Sequence, residues 1–199
     1  MTLIAFIRHA PTAWNQDGRI QGHSDVSLSA EGRAIATDWT TPARFQDFEW
    51  VASPLARARE TASLLGAKGC PTDKRLMEAN WGEWEGRVLG ELREELGEEL
   101  ERNEARGLDL QPPGGESPRA VRTRLAAWVA ERAELGRPTV AVTHNGVIRA
   151  AYSLATGWDM TDRPDIEFIW GAAHLFMASN GGQLSTEELN ISLTGTESR

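Results

Sequence analysis

Thr2-Leu3-Ile4-Ala5-Phe6-Ile7-Arg8-His9-Ala10 and Thr139-Val140-Ala141-Val142-Thr143-His144-Asn145 decide how this chain folds. Each is a short run rich in apolar and β-branched residues, which reads as a buried strand, over 2–7 and 139–143. Each run ends on a histidine. Around them, Trp50-Val51-Ala52 reads as a second short strand, and 75–77 as a strand or an extended segment. Helices are predicted over 29–40 with Ser29 as N-cap, over 55–66, over 117–136 behind Ser117-Pro118, and over 145–155. Leu89, Leu92, Leu96 and Leu100 recur at spacings of three and four, which predicts one amphipathic helix across 88–106. Residues 11–27 and 109–115 read as loops. Three strands are expected in the tail, over 166–170, 174–178 and 184–191, the last two joined by a turn at Asn180-Gly181-Gly182. Strands alternating with helices imply an α/β fold, a three-layer α/β/α sandwich around a mostly parallel central sheet. It is expected to form one domain over 1–199.

The chain has 199 residues, 40% of them hydrophobic and 25% charged, with a net charge of −8. An acidic balance argues against nucleic acid and anionic membranes as partners, because both need a basic face. The cations are 19 Arg and only Lys68 and Lys74, so carboxylate or phosphate recognition by planar guanidinium forks is open to position-by-position reading. Cys70 is alone, which excludes an internal disulfide and a cysteine metal cluster. No signal-like or membrane-spanning apolar run is found, so a cytoplasmic location is expected. An exposed edge in the C-terminal strands would accommodate a homodimer.

His9 and His144 both emerge at the C-terminal end of a predicted strand, the edge where open α/β sheets bind ligands. Alone, each can be a surface residue, a metal ligand or a nucleophile. The other histidines, His23 and His174, lie in unrelated contexts, which leaves a metal site without an evident third histidine. Ser53-Pro54-Leu55-Ala56-Arg57 runs from a strand end into a helix N-terminus. Arg57 in a first turn is disfavoured unless an anion lies beside it.

Together these stretches resemble the histidine phosphatase superfamily, in its phosphoglycerate-mutase-like branch. Phe6 to Asn15 resembles the R-H-G-E-T-x-W-N motif, with Ala10-Pro11 in place of Gly-Glu. Ser53 to Ala62 matches S-P-L-x-R-A-x-x-T-A, and Leu76 to Gly86 resembles L-x-E-x-x-x-G-x-W-E-G. Thr143 to Arg149 matches the second-histidine motif, with Asn145 where glycine is usual.

The resemblance implies a metal-independent phosphomonoesterase acting on a small phosphorylated metabolite, with no cofactor. His9 would attack phosphorus and form a phosphohistidine. Arg8, Arg57 and His144 would hold the phosphate oxygens, His144 in its protonated form. Glu78, selected over Glu83 and Glu85 by motif register, would be the general acid and base. Asn15, Gln21, Gly22 and the backbone N–H of Asn145 would border or bind the phosphate. Trp81 and Trp84 would line the substrate mouth. Two alternatives stand beside this reading: a phosphoglycerate mutase, and a non-catalytic regulatory domain of the same fold.

Overall fold

The computed structural model describes residues 1–194, whose five strands form one sheet in the order β2-β3-β1-β4-β5. The strands are β1 (Thr2–Arg8), β2 (Glu49–Ala52), β3 (Thr139–Thr143), β4 (Ala172–Ala178) and β5 (Leu184–Ser192). β1 and β2 both run parallel to β3, whereas β4 is antiparallel to β1 and β5 to β4. The expected mostly parallel sheet is therefore parallel only across its first three strands. β4 begins beside the C-terminal end of β1, where Ala173 pairs with Ile7, and so runs back against it; the tight 179–183 turn, where Gly182 N–H donates to Ser179 O (2.8 Å), then reverses the chain into β5 without a helical crossover.

Among the described residues, seven α-helices accompany the sheet: α1 (Ala13–Gln16), α2 (Ala30–Thr37), α3 (Ala56–Leu64), α4 (Leu89–Leu96), α5 (Glu98–Glu104), α6 (Pro118–Leu135) and α7 (Asn145–Thr156). Strand alternation divides the core. Ile4, Phe6, Val51, Ala141 and Phe176 face α6 and α7, with Phe6 between the rings of Trp128 (6.0 Å) and Phe176 (5.7 Å). Ala5, Ile7, Ala52, Val140 and Val142 face the opposite layer, which includes α2 and α3. Ser29 caps α2 and Ser117 caps α6 with proline in the first turn, as their sequences predict.

Three expectations fail locally. The 88–106 helix is broken at Gly97, whose φ of +48° and ψ of −124° end α4 and restart the chain as α5. That region of backbone space is open to glycine and closed to other residues, so the leucine periodicity continues across a kink that it does not reveal. Residues 74–76 form a 3₁₀ turn, because the Asp73 side chain caps it by accepting from Arg75 N–H (2.8 Å). Residues 166–170 are not a strand: Ile169 N–H donates to the side chain of Asn190 (3.0 Å) and Asn190 Nδ2 donates to Glu167 O (2.9 Å). This segment crosses the end of the sheet as a strap. The loop over 11–27 also contains the short helix α1.

Candidate active site

β1, β2 and β3 are parallel, so their C-terminal ends share one edge, and the histidines meet there. His9 N–H donates to Thr143 O (2.9 Å) and Ser53 N–H to Val142 O (2.9 Å), extending the ladder past the strands. The His9 and His144 rings lie 5.1 Å apart at 57°, both buried.

Hydrogen bonds fix each ring's tautomer. His9 Nδ1 lies 2.7 Å from Ala10 O, so Nδ1 carries the proton and Nε2 keeps its lone pair. Burial, then Arg57 and Arg8, hold the imidazole pKa well below 6.5, so the ring is neutral at pH 7. His144 Nδ1 accepts from Arg57 Nε (3.3 Å), a group that can only donate; its Nε2 therefore carries the proton and donates to Ser53 Oγ (2.8 Å). Burial and Arg57 keep this ring neutral as well. The protonated His144 expected from the resemblance is thus not the form that these hydrogen bonds and this burial favour. Both its nitrogens are engaged, and a direct grip on phosphate means exchanging the Arg57 contact for the ligand.

Arg57 is fully buried in the first turn of α3, where its guanidinium donates to Ser24 O (3.0 Å) and Gly22 O (2.7 Å). Gly22 thus acts on Arg57 through its carbonyl. A Cβ there would land on Glu85 Oε1 and lie 2.7 Å from Ala79 O. Glu85 in turn accepts from His23 N–H (2.7 Å), Ser24 N–H (2.7 Å) and Trp81 N–H (3.2 Å), tying the Arg57 loop to the segment of Glu78.

Glu78 sits opposite this cationic group. Its carboxylate accepts from Ala79 N–H (2.9 Å) and from Gly146 N–H (3.1 Å) at the start of α7. Arg124 and His23 hold its backbone carbonyl, at 3.1 and 2.9 Å. Arg8 is pushed down to about 10, chiefly by burial, and Glu78 is the charge that offsets this. The Arg8 Nε–H and the Gln21 side-chain amide nitrogen are buried without a partner. Unsatisfied buried donors are rare and costly, and here both belong to residues lining one cavity, where an anion's oxygens can satisfy them.

That cavity has a volume of about 540 Å³ and is also lined by His9, Asn15, Glu78 and Asn145. Asn15 closes a capping box with Thr12: its Oδ1 accepts from Thr12 N–H (3.0 Å), which leaves the Nδ2 donors uncommitted by that pairing. Trp81 and Trp84 stack at 6.3 Å and 19° and line the cavity together with Leu89, Leu100 and Leu110. Ser53, Arg57 and His144, all fully buried, are not among the residues that line it.

Arg149 and Trp170 line the cavity, although the sequence reading gave neither a role. Arg149 lies four residues after Asn145 on α7, so the helical i, i+4 relation could have placed it on the same face. It rests over the Trp158 ring (4.6 Å), and burial lowers its pKa. Trp170 arrives on the strap, and no local signal marks it. Among the described residues, no three His, Cys, Asp or Glu side chains are grouped to hold a metal ion. No helix among them is long and apolar enough to cross a membrane.

The sequence profile of the histidine phosphatase superfamily (branch 1) matches residues 4–190. A 2,3-bisphosphoglycerate-dependent phosphoglycerate mutase from Gloeobacter violaceus is 32% identical over 161 residues, covering 75% of this chain and 74% of its own. Phosphoglycerate mutase-like protein 4 of Arabidopsis thaliana is 34% identical over 162 residues, covering 76% and 70%. Among solved structures, a mycobacterial glucosyl-3-phosphoglycerate phosphatase complexed with VO3 superposes with a TM-score of 0.78 at 27% identity, over 96% of this chain and 100% of that one.

Proposed function

The chain belongs to the histidine phosphatase superfamily (branch 1), and on that premise we propose that it is a metal-independent phosphomonoesterase acting on a small phosphorylated metabolite. The observation that carries this reading is the state of His9: a neutral ring, its Nδ1 proton tied to Ala10 O, its Nε2 lone pair unprotonated. In the first step Nε2 attacks phosphorus in line and the P–O ester bond breaks. The ring becomes an Nε2-phosphorylated imidazolium without losing a proton, and Ala10 O steadies the Nδ1–H. Arg8 and the Arg57–His144 pair offset charge on the phosphoryl oxygens. Glu78, protonated, gives its proton to the departing alkoxide. As a carboxylate it then takes one from water, whose oxygen attacks phosphorus; the P–N bond breaks, inorganic phosphate leaves and neutral His9 returns.

The wall of Trp81, Trp84, Leu89, Leu100 and Leu110 supports a leaving group with a flat or apolar portion. A second reading, a phosphoglycerate mutase, is favoured by the names of the sequence relatives. It differs only in the acceptor, a phosphoglycerate hydroxyl in place of water. Hydrolysis of p-nitrophenyl phosphate by wild type, lost in His9→Ala, tests the proposal; phosphoryl transfer to a phosphoglycerate in preference to water selects the mutase.

A further inference from the structure

We propose that Trp170 is the positioning residue of the nucleophile: its indole N–H and Thr61 clamp the His9–Ala10 peptide from its two edges, and its ring face carries Arg8. The inference rests on reading this site as a phosphoryl-transfer centre. It deepens that reading with a residue 161 positions from His9 in sequence.

The His9 carbonyl and the Ala10 N–H belong to one peptide unit. The carbonyl accepts from Trp170 Nε1 at 2.8 Å, and the N–H donates to Thr61 Oγ1 at 3.0 Å. Thr61 is itself anchored, its hydroxyl donating to Arg57 O (2.7 Å). A peptide bonded at both edges cannot rotate about its flanking dihedrals without breaking a buried hydrogen bond. The next carbonyl along, Ala10 O, accepts the His9 Nδ1 proton and so selects the nucleophilic tautomer. Rotation of the clamped peptide would move that acceptor. The tautomer of His9 therefore depends on a hydrogen bond from the strap.

The same indole serves the neighbouring cation. Arg8 Cζ lies 3.6 Å from the ring centroid, and Arg8 Nε has no hydrogen-bond partner. An aromatic face holds a guanidinium without occupying its N–H groups, so Arg8 stays in place with donors in hand for an anion. The His9 ring meets Trp170 edge to face, 6.5 Å away at 83°. Trp170 is itself set by the strap: Asn190 grips Ile169 and Glu167, and Gly171 O accepts from Leu193 N–H (2.8 Å).

Trp170→Phe keeps a ring for Arg8 and removes the N–H; Trp170→Leu removes both. The tautomer of His9 is read by ¹⁵N NMR of histidine-labelled protein, Kd by titration with inorganic phosphate, and kcat and KM with p-nitrophenyl phosphate. Near-UV circular dichroism confirms folding, and if the Leu variant fails to fold, the Phe variant alone decides. In wild type His9 is the Nδ1–H form. In both variants a mixture of tautomers is expected, with kcat down about tenfold or more from lost positioning and KM in the Phe variant within about twofold. Phosphate Kd is expected to rise about fivefold in the Leu variant only. An unchanged tautomer overturns the proposal, even if kcat falls, because Trp170 would then act as cavity wall. If wild type hydrolyses no phosphomonoester, the phosphatase reading fails, while the tautomer and the phosphate affinity still decide the role of Trp170.

Discussion

His174 offers a quantitative test of how the strap is held. It is buried on β4, its ring edge-to-face with Phe168 at 5.1 Å, and its Nδ1 accepts from Asn190 N–H at 3.3 Å. Burial alone pushes it down from 6.5 to about 4. Above pH 6.5 the ring is neutral in both the folded and unfolded chain, and it contributes no pH dependence. As pH falls from 6.5 towards 4, the unfolded chain binds a proton that the folded one refuses, so stability is lost; below about 4 both states are protonated and the loss is complete. One pKa unit is worth about 1.4 kcal/mol, which makes the loss about 2 kcal/mol by pH 5 and about 3 kcal/mol in full. His174→Phe removes this dependence. The variant lacks the acceptor for Asn190 N–H, a fixed penalty of about 1–3 kcal/mol at all pH values. His9 and His144 are depressed in the same sense, but they are present in both proteins and cancel in the difference. Urea unfolding at pH 7.5, 6 and 5 should show the stability gap between wild type and variant shrinking by about 2 kcal/mol towards acid. A gap constant within about 0.5 kcal/mol across that range would refute the reasoning.

Other consequences follow from the site. Glu78→Gln keeps one acceptor oxygen, enough for the N–H of Ala79 or of Gly146 but not both, so it should fold with a loss of about 1–3 kcal/mol, yet lose about 10²–10⁴ in steady-state turnover. Because p-nitrophenolate leaves without a proton, this variant should release a rapid burst of one product per site in stopped flow and then stall. Gly22→Ala should cost about 1–3 kcal/mol in denaturant unfolding from overpacking against Glu85 and Ala79. It should also reduce kcat through the displaced Arg57 carbonyl partner. Turnover of p-nitrophenyl phosphate should be unchanged by EDTA, since the nucleophile is a side chain; EDTA-sensitive activity would contradict this.

The parts of this molecule that were legible in sequence are those whose signals are local. The β3 bounds at Thr139 and Thr143 follow from an unbroken apolar and β-branched run, and the Ser29 and Ser117 caps from residue chemistry at a helix start. The pairing of His9 with His144 was legible one step further, because parallel strands align their C-terminal ends. What the sequence hid is set by distant partners. Residues 166–170 have strand-like composition, yet Asn190 takes their hydrogen bonds and turns them into a strap. Trp170 owes its place to His9, and the neutral state of His144 comes from burial and Arg57, against what its motif implies. Gly97 looks like a tolerable helix glycine until its backbone angles are known.

The central claim is that His9 Nε2 forms a bond to phosphorus. Rapid-quench mass spectrometry of the enzyme mixed with excess p-nitrophenyl phosphate, with a base quench to preserve phosphohistidine, tests it most directly. One phosphoryl group is expected on the His9 peptide, removed by acid, absent in His9→Ala and accumulating in Glu78→Gln. Steady turnover with no phosphoryl group on that peptide, or undiminished turnover by His9→Ala, would contradict it.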